Sequence, residues 1–440
     1  MKKFWKLCVT FFLSIGLCLA FSACSVLDQI LGDSSEDSSL KTESSSEESS
    51  SSEESSSSEK SSSSEESSSS EESSSSEESS SSEESLSSES KGESESSSEE
   101  LSSSGEITSS ENSGVEDIVT DELSIHFLEL GNKYTGDCTL IKVGDTEVLI
   151  DAGSRKGSAG AIVPYVQQYC TDGVLEFVIA THAHQDHIAG FVGTTKIDGV
   201  FESFVCETII DYPLTNADSG IREDYEKLRD EEVAGGAKHY TALQCWKETD
   251  GAQRSYALGN NVTMNVLYQR FYEEKTSDEN DYSVCILLTQ GERNYLFTGD
   301  LEYEGEQSLI AENDLPKCDL FKGGHHGSPT SNTPELFAVI EPKIVCVCCC
   351  CGSNEYTHNV ANMFPSQAFV DNVAPYTDKV YVTTIAADNA DDYTSMNGNI
   401  VVTSDGETVN VNCSNNNILF KDTEWFAANR IMPDAWKQTD

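Results

Sequence analysis

Thr181 to Gly190 reads Thr-His-Ala-His-Gln-Asp-His-Ile-Ala-Gly, which puts His182, His184, Asp186 and His187 within six residues. Three of the chain's eight histidines are here. Crowded imidazoles have no structural use without a cation to hold them together. Neutral imidazole suits zinc and similar borderline ions, and a neighbouring carboxylate adds charge neutralisation. The chemistry implied is metal binding. Further along the chain Thr298-Gly299-Asp300, His325-His326-Gly327-Ser328 and Tyr356-Thr357-His358 carry the same residue types. Neither Cys285 nor the cysteine run at 346–351 has the partner pattern of a covalent nucleophile.

Such side chains need rigid elements behind them. The apolar run 174–180 before the cluster reads as a buried strand. Residues 123–130, 138–143 and 147–153 read as short strands joined by turns, an antiparallel meander whose third strand ends at Asp151. Residues 282–288 and 294–297 form a hairpin around Gly291, and 319–322 a strand ending before His325. Helical patterns cover 160–170, 304–312 and 334–340, and closing strands lie at 380–384, 400–403 and 409–411. The stretch 201–270 is less regular, with an exposed helix over 224–232 and a strand over 262–267, and is expected to supply substrate-side loops. Strands thus end repeatedly in a ligand-type residue: Asp151, His182, Asp300, His325 and His358. That is how a scaffold converges chemistry on one edge.

Composition bounds the rest. Residues 1–23 have a basic start and a short apolar run, a signal peptide ending in small residues before Cys24. The spacing is that of a lipobox, so Cys24 is expected to carry a lipid that anchors the chain to the membrane. The apolar run is shorter than the ~20 residues of a comfortable span. Residues 24–117 are dominated by Ser and Glu, which cannot bury enough apolar surface to offset ordering, and they read as a disordered linker. As a neutral coil such a linker reaches on the order of 50 Å, and self-repulsion extends it. Residues 118–412 are expected to form the folded domain and 413–440 a C-terminal tail. The net charge of −50 argues against a nucleic-acid surface. The fifteen cysteines are read mainly as buried thiols, with the strand 344–348 using cysteine as a small hydrophobe.

Asp151-Ala152-Gly153, the His182-x-His184-x-Asp186-His187 cluster, Thr298-Gly299-Asp300 and His325-His326-Gly327-Ser328, in this order, resemble the metallo-β-lactamase superfamily of hydrolases. Within it, Phe-Thr-Gly-Asp followed by Lys-Gly-Gly-His-His-Gly-Ser is similar to the branch holding the ComEC competence-protein domain and phosphorylcholine esterases. The resemblance implies an α/β (α+β) fold, the four-layer αββα sandwich, with two divalent ions at one edge, zinc ahead of manganese. It implies that His182, His184 and one histidine of the His325-His326 pair, His326 ahead of His325, hold one ion, Asp186 and His187 the other, and that Asp300 bridges. His358 would be the last ligand, although Thr357-His358-Asn359 departs from the family's Gly-His-Pro. Asp186 and His325 are the expected catalytic residues, the first orienting the nucleophile and the second meeting substrate. Asp151 reads either as a partner orienting a ligand histidine or as a strand-ending turn residue. Lys322 and Ser328 read equally as substrate contacts or as a surface charge and a helix cap. Asn280 and Ser283 match a family Asn-x-x-Ser feature weakly, and His126 and His239 are taken as structural.

The expected activity is hydrolysis of phosphodiester or phosphoester bonds in envelope components, a small molecule or polymer, by a metal-bridging hydroxide. The expected place is the outer face of a Gram-positive cell membrane, or the medium if Cys24 is not lipidated. The alternatives are a ComEC-like extracellular nuclease, a β-lactamase or lactonase, and a non-catalytic surface binding protein with a vestigial metal site.

Overall fold

Alternation decides the first strands. In 123–127 the side chains of Leu123, Ile125 and Phe127 are fully buried, as period-two packing requires. The computed structural model describes residues 122–259, 261–387 and 392–437. The signal peptide, Cys24 and the Ser/Glu stretch expected at 1–117 lie outside the described residues.

Two eight-stranded sheets form. The first contains β1 (Leu123–Phe127), β2 (Thr139–Val143), β3 (Thr146–Ile150), β4 (Val174–Ile179), β5 (Val205–Asp211) and β6 (Lys238–Thr241). The second contains β7 (Ser255–Gly259), β8 (Val262–Val266), β9 (Ile286–Gln290), β10 (Arg293–Phe297), β11 (Leu320–Lys322), β12 (Val345–Cys351), β13 (Val380–Ala386) and β14 (Tyr393–Ser395). The chain then returns to the first sheet as β15 (Ile400–Ser404) and β16 (Val409–Cys413), with β15 beside β1. In each sheet an antiparallel set passes into a parallel run, β3 to β6 and β10 to β13. Parallel strands present their carboxyl ends at one edge, where α/β sheets bind ligands.

The sheets pack face to face, with Phe127 of β1 stacked on Phe297 of β10 at 6.4 Å between ring centroids. Helices α1 (Ala159–Tyr169), α2 (Gln185–Val192) and α3 (Gly220–Ala234) cover the first sheet through Ile162, Val166, Phe191 and Tyr225. The short α4 (Ala242–Lys247) follows β6. Helices α5 (Tyr303–Glu312), α6 (Pro334–Ile340) and α7 (Gln367–Val373) cover the second sheet through Leu309, Phe337 and Phe369. This is the αββα sandwich. The cysteine strand serves both sides of its sheet: Cys346 and Cys348 join the core shared with the first sheet, while Cys349 and Cys351 join the core under the helices. The cysteines among the described residues are free thiols.

Two expectations are corrected. The stretch 201–270 is regular: it supplies β5 to β8, α3 and α4, and so builds one side of both sheets. Its burial is densest in the short strands β5 and β8, the edge strands β6 and β7 bury little, and only Tyr225 of α3 is fully buried, which weakened the pattern. Residues 413–440 are not a tail. Cys413 ends β16, and beyond it Phe420, Phe426 of α8 (Glu424–Asn429) and Trp436 are buried in the second core. The aromatics of this segment, Phe420, Trp425, Phe426 and Trp436, follow no helical or strand period.

Candidate metal centre at the strand ends

The centre is built from the ends of β3, β4, β10 and β11. Asp151, just past β3, takes a positive φ of 59° and turns its carboxylate toward β4. It accepts bonds from the Thr181 amide and hydroxyl, both at 2.8 Å, and from His187 Nδ1 at 2.8 Å. The turn that follows lies against the start of α2: a Cβ at Gly153 would meet the Asp186 carbonyl oxygen at 1.4 Å, so only glycine fits. Opposite, Gly299 at φ 57° sits between Ser283 and Thr181, and Ser283 Oγ accepts the Asp300 amide at 3.0 Å. At the end of β11, His325 and His326 both adopt left-handed backbone, φ 43° and 54°. This costs conformational energy that the surroundings must offset. Asn332 brackets that turn, accepting the Gly324 amide and donating to the Gly324 carbonyl, each at 2.8 Å.

That double bend separates the pair. His326 is fully buried and enters a cluster with Asp137, His187 and Asp300, whose ligand-type atoms all lie within 4.8 Å of one another. His325 stays at the mouth, where Glu302 Oε1 holds its Nδ1 at 3.1 Å. His182 Nε2 lies 3.0 Å from His184 Nδ1, and His182 packs on His187 at 4.2 Å between centroids. Asp186 Oδ2 is 3.5 Å from His326 Nε2 and accepts the Tyr356 hydroxyl at 2.6 Å.

The electrostatics ask for a cation. His187 Nδ1 bonds Asp151 Oδ2 at 2.8 Å and its Nε2 faces Asp300 Oδ2 at 3.0 Å; without a proton on Nε2 the ring would turn a lone pair on the carboxylate. His326 Nε2 faces the same oxygen at 3.2 Å. Acceptor facing acceptor in a dry site is unfavourable unless a positive charge lies between them. Burial works to lower the pKa of His187 and His326. The carboxylates of Asp300 and Asp151 around His187, and of Asp300 and Asp137 around His326, nevertheless raise both well above the usual imidazole value. Burial and the neighbouring His187 and His184 hold His182 neutral, well below that value. Burial alone would raise Asp300, but His187 and His326 hold it well below the carboxylate range. His326 Nε2 and Asp300 Oδ1 are buried without a hydrogen-bond partner. The donor set therefore fits divalent ions, which would replace the protons that these rings otherwise attract.

Of the residues predicted to hold metal, the structure gathers His187, Asp300 and His326 in that cluster, with His182 packed on His187, His184 bonded to His182, and Asp186 3.5 Å from His326. It does not bring His358 in: that residue is exposed on the loop after β12 and outside the cluster. Asp151 is placed as an orienting partner. Lys322 is neither a surface charge nor a substrate contact: it is buried, ion-paired with Asp137 and 3.9 Å from Asp300 Oδ1. Ser328 sits in a turn, 2.8 Å from Thr330 Oγ1. His126 bonds Tyr165 and Ser124, and His239 pairs with Asp211.

Sequence reasoning missed Asp137, Glu302, Glu279 and Tyr356. Asp137 had one signal, an acidic residue placed directly before a buried strand. Glu279 is buried and accepts from the Ala183, Asn216 and Ala217 amides and the Thr215 hydroxyl, tying the histidine turn to the loop after β5.

The family model for the metallo-beta-lactamase superfamily matches residues 131–200. The fold implies divalent ions, typically zinc. In sequence the chain is similar to Recombination protein 2 of Haemophilus influenzae, 29% identical over 218 residues, 48% of this chain and 23% of that protein. It is also similar to ComE operon protein 3 of Bacillus subtilis, 26% identical over 188 residues, 42% of this chain and 21% of that protein. The chain thus spans less than a quarter of the length of these two relatives. Among solved structures, the metallo-beta-lactamase fold protein YhfI from Bacillus subtilis aligns over 64% of this chain and 100% of that chain, at 14% identity and a TM-score of 0.35.

Proposed function

We propose that the protein is a binuclear metal-dependent hydrolase of phosphodiester or phosphoester bonds in envelope components, tethered outside the membrane through a lipidated Cys24. The observation that supports it best is the convergence of His187 and His326 on Asp300 among fully buried side chains. His182, His184, Asp186, His187, Asp300 and His326 would hold the ions, zinc or manganese. Bound there, divalent ions supply a water of lowered pKa and neutralise charge on a phosphoryl oxygen.

The chain's own residues do the rest. Asp151 fixes the tautomer of His187, and the Thr181 bonds fix Asp151. Asp186 orients the nucleophile. His325, steered by Glu302, stands at the mouth to hold a proton for the leaving oxygen. Lys322 neutralises part of the carboxylate charge at Asp137 and Asp300.

A second reading, an extracellular nuclease, is favoured by the names of the two similar proteins, one a recombination protein. The charge of −50 favours the first. Assay of the purified protein on p-nitrophenyl phosphorylcholine, bis-p-nitrophenyl phosphate and single-stranded DNA separates them. Turnover of DNA alone would replace the first reading with the second. Absence of turnover on all three would remove the phosphoesterase reading.

A further inference from the structure

The loop after β12 is the one part of the centre's rim that departs from expectation. Its entering limb is pinned by Glu355, which accepts the Thr135 amide at 3.0 Å and is ion-paired with Arg155. Arg155 in turn lies over the Tyr134 ring at 4.0 Å. The returning limb is pinned by Arg430, which donates to the carbonyls of Val360 at 2.9 Å, Met363 at 2.6 Å and Pro365 at 2.9 Å. Between the two pins, Tyr356 turns inward and His358 outward. The Tyr356 residue is 51% exposed, yet its hydroxyl reaches Asp186 Oδ2 at 2.6 Å, and its ring packs on Phe364 at 5.4 Å between centroids. Phe364 packs on His325 and His326 at 5.7 and 5.9 Å. Bringing His358 to the centre would require this loop to release Glu355 or Arg430 and to withdraw Tyr356.

We infer that Tyr356, and not His358, closes this side of the centre, as a positioning residue that holds the Asp186 carboxylate through its hydroxyl and walls the mouth with its ring. The inference rests on the metal-centre reading above and names the residue that completes it. Asp186 Oδ2 both accepts the phenol and faces His326 Nε2 at 3.5 Å, so the phenol fixes which carboxylate oxygen is turned to the centre. A carboxylate free to rotate between one and two oxygens loses that selectivity. The exposed face of the ring, continuous with Phe364 and next to His325, is a flat apolar wall for the part of a substrate beyond the scissile bond.

The test uses the full-length protein loaded with Co2+, so that occupancy and ligand field are read without turnover. Tyr356→Phe keeps the wall and removes the hydroxyl. It should retain both ions, shift the visible Co2+ spectrum, and lower kcat on bis-p-nitrophenyl phosphate by roughly 10- to 100-fold with KM unchanged, the loss of one charge-assisted hydrogen bond. Tyr356→Ala should in addition raise KM. His358→Asn should retain both ions and an unshifted spectrum. An unshifted spectrum in Tyr356→Phe, or loss of an ion in His358→Asn, overturns the inference. If the wild type turns over none of the phosphoesters, the substrate reading fails, and the Co2+ spectra still decide between Tyr356 and His358.

Discussion

The two sides of the centre are built differently. On one side, His182, Asp186, His187 and Asp300 sit at strand ends or on the first turn of a helix, and backbone amides, Asp151 and Ser283 hold them. On the other, the loop after β12 crosses the mouth between two pinned limbs and offers Tyr356. The strand-end side gains rigidity from the sheets, so short-range spacing alone places its ligands. The loop side depends on partners two hundred residues or more earlier, Thr135 and Arg155, and on Arg430 near the end of the chain. A motif can specify the first kind of geometry; the second exists only once the fold has closed.

The largest effect that would break this contrast is expected on the strand-end side. Asp300→Asn removes the carboxylate that faces both His187 and His326, and turnover should fall by at least about 10³-fold with loss of bound metal. Retained metal and activity would dissolve the distinction. Next is the far support of the loop side. Phe426→Ala should destabilise the protein by about 3 to 5 kcal/mol in urea unfolding, because the C-terminal segment is core. A change below about 0.5 kcal/mol would restore the view of 413–440 as a tail. His325→Gln sharpens the contrast at the mouth: kcat should drop by about 10²-fold with metal content unchanged.

The smallest effect concerns the scaffold behind the double-histidine turn. Burial, ahead of the bonds from Thr333 and Asn332 that oppose it, raises the Glu306 carboxyl from 4.5 to about 7. A raised folded-state pKa means that the contribution is fully present below about pH 4.5 and is lost as pH rises to about 7. The loss is of order 3 kcal/mol. Glu306→Gln should therefore lose less melting temperature between pH 5 and 7.5 than the wild type; an identical pH dependence would contradict the burial argument.

Legibility in the sequence follows the same division. The histidine cluster, Asp300 and the paired histidines were legible because each closes an apolar run whose strand the sheets then align. Asp151 was legible as a turn residue at a strand end, and its contact with His187 gives that turn a reason. Asp137 and Lys322 were not: one precedes a strand and the other ends one, and only the parallel pairing of β10 with β11 and the turn of Gly153 onto α2 bring them together. Tyr356 was hidden by the histidine two residues on, a better ligand by type but turned outward by the pins on its loop. The regularity of 201–270 was obscured because its edge strands β6 and β7 bury few side chains and α3 buries only Tyr225.

The central claim is that the strand ends form a centre for divalent ions. Elemental analysis of the purified full-length protein by inductively coupled plasma mass spectrometry, beside Asp300→Asn and His184→Ala, tests it most directly. The account predicts about two equivalents of divalent metal in the wild type and a loss of at least one in each variant. A wild type that takes up no divalent ion after dialysis against zinc or manganese, while remaining folded, would contradict it.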